Sequence, residues 1–247
     1  MDRTAPRRSA EPRLARLLTI LAAAAVLAAV AGAGGGAAHE PDDRMPAAVT
    51  MDFVPPPPGS YALNAIMPAP NGPVLDRDGR RRPLVRFTAG KITLLGFIYT
   101  SCADPRGCPL TTQVFHAVRH RVSEDPDLRA RVRLVSLSFD PRRDTPAVMR
   151  HYAAEVPENG VEWAFLTTEL PRTLVPLLDG FGQDVRVELD AHGRPAGPLA
   201  HVLKVFLIDA HGVVREIYTT SYLYPEVILN DIKTLRLEDG TARRAGP

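Results

Sequence analysis

Lysine is nearly missing from this chain: Lys91, Lys204 and Lys233 are the only three among 30 basic residues, a bias that points to a GC-rich genome more than to a function. Surplus positive charge is missing too. The formal net charge is +2, but residues 1–38 hold five arginines against Asp2 and Glu11, so the rest of the chain is about −1. The basic pI therefore belongs to the leader, and no nucleic-acid interface is expected; the cluster Arg80-Arg81-Arg82 reads as a solvated turn. The chain also lacks a Gly-x-Ser-x-Gly elbow, a phosphate loop and a dinucleotide fingerprint. Acyl transfer, phosphoryl transfer and nicotinamide chemistry have no support in the sequence. A thioredoxin-type Cys-x-x-Cys is absent, and a peroxiredoxin would place threonine or serine three residues before its attacking cysteine, where this chain has Tyr99.

What the chain does have is two cysteines, both in one loop, Cys102-Ala-Asp-Pro-Arg-Gly-Cys108-Pro109, directly after the apolar run Ile92 to Tyr99. Thiolates are soft donors that suit Cu(I), and a close thiol pair can cycle through a disulfide, so the loop points to copper handling, redox exchange or both. Asp104-Pro105-Arg106-Gly107 has the residues a type I turn prefers, which folds the loop back and brings the sulfurs within range of each other. Pro109 suits the first position of a helix, with Leu110, Val114, Val118 and Val122 as its apolar stripe. Cys108 is then expected at a helix N-terminus, where the macrodipole lowers a thiol pKa. A purely structural disulfide is the alternative, although a bridge across so short a loop removes little chain entropy.

Arg3, Arg7, Arg8, Arg13 and Arg16 precede an apolar segment from Leu17 to Ala33, the pattern of a secretion signal. Ala31-Gly32-Ala33 and Gly36-Ala37-Ala38 offer cleavage sites, so residues 1–38 are expected to be a cleaved signal peptide or a retained membrane anchor. In both cases the arginines stay inside and the remainder is exported, which predicts a periplasmic protein, soluble or anchored to the inner membrane. In that oxidising compartment a dithiol stays reduced only with a dedicated electron donor or a bound metal. Residues 39–59, with four consecutive prolines from Pro55 to Pro58, read as an extended linker. Residues 60–237 form one α/β domain in this reading, and residues 238–247 a flexible tail.

Within the domain, Asp78-Gly79 predicts a turn ahead of a strand near Leu84 to Phe87. Ile92 to Tyr99 and Arg133 to Phe139 are buried-strand patterns, and Thr145-Pro146 caps and starts a helix. Strands are expected at Trp163 to Thr167, Val185 to Leu189, Val202 to Ile208 and Val213 to Tyr218, with helices at Pro171 to Phe181 and Pro225 to Leu235. This order is that of a thioredoxin-like fold, a central mixed sheet flanked by helices.

The run Gly96-Phe97-Ile98-Tyr99-Thr100-Ser101-Cys102 with Cys108-Pro109, then Ser138-Phe139-Asp140-Pro141-Arg142-Arg143-Asp144-Thr145-Pro146, then His201 heading a strand, resembles the Sco/SenC family of copper chaperones. The resemblance spans roughly Ser60 to Leu237. It implies a thioredoxin-like fold, a copper ion held by Cys102, Cys108 and His201, and a role in building the copper site of cytochrome c oxidase. The implied partners are a copper-accepting respiratory oxidase subunit or another copper protein, and a thiol reductant. Such a chaperone is not an enzyme in the strict sense. Some family members act instead as thiol-disulfide oxidoreductases, which leaves a second reading of the same cysteines. The family usually separates its cysteines by three residues; here there are five, and the Asp-Pro-Arg-Gly turn is a means of absorbing the difference.

The other histidines read as less specific. His116 and His120 share a helix face, but His116 stands ~12 Å along the axis from Cys108. His192 and His211 both occur in Asp-Ala-His-Gly turns, and His39 falls at the processing site. Asp140 and Asp144 flank a turn and are explained by local capping, with a supporting role near the loop implied by the resemblance.

Overall fold

The structure, a computed structural model, describes residues 51–102, 104–189, 191–192 and 195–244. The leader, the first part of the expected linker, His39 and both proposed cleavage sites lie outside the described residues. Along the chain come β1 (Met67–Pro68), β2 (Pro73–Leu75), β3 (Arg81–Pro83), β4 (Ile92–Ile98), α1 (Cys108–Glu124), α2 (Pro126–Arg131) and β5 (Val132–Ser138). Then follow α3 (Pro146–Ala154), β6 (Glu162–Leu166), α4 (Pro171–Phe181), β7 (Val185–Leu189), β8 (Pro195–His201), β9 (Val205–Ile208), β10 (Val213–Tyr218) and α5 (Pro225–Arg244).

β4 and β5 are buried at every position and pair in parallel through seven residues, from Ile92 opposite Val132 to Ile98 opposite Ser138. Strands apolar on both sides need cover on both faces, and a parallel pair needs a crossover, which α1 and α2 supply. The main sheet has the order β1-β10-β9-β4-β5-β6, with β9 and β10 antiparallel to their neighbours. Alternation along β4 divides the core. Leu94 packs with Val114, Val118, Ile228 and Ile232 of α1 and α5, whereas Leu95 and Phe97 pack with Met149, Leu174 and Leu177 of α3 and α4. Gly96 is the one residue of β4 without a side chain, and a Cβ there would stand 2.9 Å from Thr111 and 3.1 Å from Phe115. The missing methyl lets the first turns of α1 lie close on the strand that leads into the cysteine loop.

Several expected elements differ. Asp78-Gly79 does turn a hairpin, but between β2 and β3, and Val85–Thr88 is a single helical turn rather than a strand. The Thr88 hydroxyl returns to the Leu84 carbonyl, and Asn71 caps the Val85 amide, so local polar bonds win over a short apolar pattern. The strand expected from Val202 begins at Val205, and a hairpin of β7 with β8 precedes it, paired with no other strand among the described residues. α5 continues to Arg244, where residues from 238 onward were expected to be a tail. Glu238 holds that extension by accepting from Arg215 at 2.8 Å and from the Leu63 amide at 3.3 Å. The prolines of the expected linker also lie against α5: Asn230 donates to the Pro56 carbonyl and the Gly59 amide donates to Thr234. The expected linker is not extended throughout, since the Pro57 carbonyl accepts from the Ser60 amide and hydroxyl in a turn, while the Pro56 carbonyl is left to Asn230. Among the described residues, no helix is long and apolar enough to cross a membrane.

Candidate functional site

β4 delivers the chain to the cysteine loop at the edge of the sheet. After Ile98 the Thr100 amide donates to Asp144 at 3.1 Å and the Thr100 hydroxyl donates to the same carboxylate at 2.5 Å. Asp144 also accepts from Ser138 at the end of β5, at 2.5 Å, and is fully buried. Three donors on one carboxylate thus pin the start of the loop to the neighbouring strand. The sequence suggested local capping for this aspartate; its bonds instead reach 44 residues back along the chain.

The loop then closes as its residues predict. The Gly107 amide donates to the Asp104 carbonyl at 2.9 Å, and the Arg106 amide donates to the Asp104 side chain at 3.0 Å. Gly107 passes close to the first cysteine, its would-be Cβ 3.4 Å from Cys102 Sγ. α1 starts at Cys108 itself, one residue before the expected Pro109, with Gly107 as N-cap. The five intervening residues therefore do not separate the cysteines: both are free thiols, both pack in the same core cluster, and each shifts the ionisation of the other.

The two thiols are not equivalent, and their order reverses the expectation. Cys108 is buried, and that burial pushes its pKa well above the usual thiol value; the bond it donates to Cys102 adds to the rise. Cys102 is half-buried. Burial would raise it as well, but hydrogen bonds from the Cys108 backbone, the Tyr99 hydroxyl, the Cys108 thiol and the Asp104 backbone outweigh that and hold it below the usual value. The helix N-terminus was expected to favour a Cys108 thiolate; the loss of water around a buried sulfur is the larger effect. Chemically this is an accessible sulfur that ionises beside an inner sulfur that keeps its proton.

Tyr99 has a role that sequence reasoning missed. Its hydroxyl donates to Cys102, burial and that bond hold its own pKa far above the ordinary phenol, and it is also hydrogen-bonded by the main chain of Leu199 in β8. His201, the last residue of β8, lies in the same place, its ring 6.2 Å from that of Tyr99 and 4.7 Å from that of Phe139, both edge-on. Its Nδ1 is 2.9 Å from the Leu199 carbonyl. A carbonyl can only accept, so Nδ1 carries the proton and Nε2 is the basic nitrogen open to a metal. The base of the hairpin is clasped on both sides: Gln183 donates to the Val202 carbonyl at 2.9 Å, and Lys204 donates to the Gly182 carbonyl.

The structure thus brings Cys102 and Cys108 together and links His201 to them through Tyr99. Among the described residues, no three His, Cys, Asp or Glu side chains are grouped closely enough to hold a metal ion. His116 and His120 are exposed on α1, with His116 against Trp163 and His120 beside Glu124.

A sequence model of the SCO1/SenC family matches residues 74–236. No protein of curated function matches the chain by sequence. Among solved structures, the chain is similar to copper-bound ScoI of Arabidopsis thaliana, at 18% identity over 69% of this chain and 98% of that one, with a TM-score of 0.57. It is similar to a SCO1/SenC family lipoprotein of Bacillus anthracis, at 23% identity over 69% and 95%, with a TM-score of 0.56. It is also similar to BsSco, a member of the Sco family of cytochrome c oxidase assembly proteins with a disulfide switch, at 21% identity over 74% and 98%, with a TM-score of 0.54. These likenesses establish the thioredoxin-like fold expected from the order of elements.

Proposed function

Because this chain belongs to the SCO1/SenC family, we propose that it is an exported copper chaperone, which holds one copper ion through Cys102, Cys108 and His201 and passes it to a respiratory oxidase subunit or another copper protein. The observation that carries this reading is the pair of free cysteines packed in one cluster at the end of β4, across a longer loop than the family's usual one. Two sulfurs and an imidazole nitrogen suit Cu(I), with a further oxygen or water for Cu(II). Copper is the cargo. Its arrival displaces the Tyr99 and Cys108 protons from Cys102, and His201 Nε2, held at the clasped base of the hairpin beside Tyr99, completes the set. Residues 1–38 bring the domain to the periplasmic side, as a cleaved signal or an inner-membrane anchor; the B. anthracis relative described as a lipoprotein supports export. Anaerobic titration of the reduced full-length protein with Cu(I) tests the proposal. The expected result is one copper per chain, lost in Cys102→Ala, Cys108→Ala and His201→Ala; unchanged copper content in all three would end it.

The inequality of the two thiols favours one further reading, a thiol-disulfide oxidoreductase. The Cys102 thiolate would attack a partner's disulfide, one partner sulfur leaving as a thiolate. Cys108 would then lose its proton and displace the second sulfur, leaving the partner reduced and this pair oxidised. A mixed disulfide trapped with Cys108→Ser, and activity that survives His201→Ala, distinguish it from copper delivery.

A further inference from the structure

A cavity of about 430 Å³ lies between the first described residues, the free edge of β10 and α5, outside the cysteine centre. Its walls include four aromatic rings, Phe53, Tyr61, Tyr218 and Tyr222, and two carboxylates, Glu216 and Asp231; among the described residues no lysine, arginine or histidine lines it. Tyr61 donates to one Asp231 oxygen at 2.5 Å and Tyr218 to the other at 2.6 Å. Both hydroxyl protons are therefore held within the protein, and with Tyr218 and Asp231 themselves buried the cavity presents the rings of Phe53, Tyr61 and Tyr222 and the carboxylate of Glu216. Glu216 is fixed at the wall by the Ile217 amide, which donates to it at 2.9 Å. The mouth is formed by Phe53 and Tyr222, 37% and 60% exposed, with ring centroids 6.4 Å apart.

We propose that this cavity is a recognition site for a guanidinium group, supplied by an arginine of a partner polypeptide. Aromatic faces beside carboxylates attract an organic cation, and the weakly hydrated planar guanidinium both stacks on rings and forks onto a carboxylate, which a compact ammonium does not. The neighbouring backbone points to a polypeptide as its source. β1 pairs only with Val213 and Val214, so from Glu216 to Tyr218 the outer edge of β10 has no strand neighbour among the described residues. An extended segment can add there while its arginine enters the cavity. Tyr218 lies opposite Val205, which lies opposite Gly96, so this edge finishes at the same end of the sheet as the cysteine loop, two strand spacings or ~10 Å across the sheet from Gly96. A polypeptide held by this site is within reach of the sulfurs. The binding itself does not depend on the copper reading.

Titration of the isotope-labelled full-length protein with the capped peptide acetyl-Gly-Arg-Gly-amide, followed by amide NMR shifts, tests the site. The expected shifts map to residues 53–64 and 216–231, and the citrulline counterpart, which has the same shape without the charge, binds about tenfold more weakly or worse. Glu216→Gln and Tyr222→Ala each weaken binding by about three- to tenfold and leave copper uptake unchanged, whereas Cys102→Ala leaves peptide binding unchanged. Equal binding of the arginine and citrulline peptides, shifts confined to other regions, or no binding overturns the proposal.

Discussion

Replacing Asp144 by alanine removes three hydrogen bonds at once, from the Thr100 amide, the Thr100 hydroxyl and the Ser138 hydroxyl. A hydrogen bond to a charged acceptor contributes about 1.5–3 kcal/mol, but these three share one carboxylate, and the two hydroxyls can rotate toward other acceptors, so they do not add in full. The Thr100 amide has no such freedom and is left without its acceptor. The expected loss is about 3–5 kcal/mol, a large part of the ~5–15 kcal/mol that keeps a domain folded. Asp144→Asn keeps the volume and one oxygen, but turns an amide N–H toward a donor, for an expected loss of about 1–3 kcal/mol. Urea denaturation of the reduced protein reads both values. The same variants test the link to the sulfurs: a loop no longer tied to β5 presents Cys102 less well, and Cu(I) affinity of the Asn variant should fall about 10- to 100-fold. If Asp144→Ala unfolds within ~0.5 kcal/mol of the wild type, Asp144 does not brace the loop and the reasoning fails.

Mapping of alkylated peptides from the reduced wild type near pH 7 should find Cys102 modified at least about tenfold faster than Cys108, because Cys102 is half-exposed and held below the usual thiol pKa while burial holds Cys108 above it. Lowering the pH should slow Cys102 only below the ordinary thiol range, and raising it past neutrality should leave Cys108 protonated; equal rates would contradict the assignment. Gly96→Ala drives a methyl to 2.9 Å from Thr111 and 3.1 Å from Phe115, and should cost about 1–3 kcal/mol in the same urea experiment. An unchanged midpoint would mean that the helix does not depend on close approach there.

Where an element's reasons lie in its own residues, the sequence was sufficient. β4 and β5 are unbroken apolar runs, α4 begins at a proline and has Gly182 as its C-cap at φ +60°, and Thr145-Pro146 caps and opens α3. The cysteine loop was legible for the same reason, since Asp104 to Gly107 carry their own turn. β8 was not: Pro195 to His201 has glycine and two prolines and no apolar alternation, and it is a strand because β7 pairs with it. The ranking of the two thiols depends on how much water each loses, a property of the assembled core that helix position alone does not carry. Tyr99 reads as one more apolar residue at the end of a buried strand; that its hydroxyl meets both Cys102 and Leu199 depends on strands a hundred residues apart in the chain. Asp144, three residues past Pro141, looks like any turn aspartate until Thr100 is seen beside it.

The separate β7–β8 ladder has a consequence for how this chain tolerates change. Residues added or removed in pairs at its far end would lengthen or shorten the arm without shifting the register of β9, because the Gln183 and Lys204 bonds fix both legs where they leave the body of the protein. The imidazole sits at the fixed base and not at the far end. A reporter peptide grafted between β7 and β8 would therefore leave metal uptake intact.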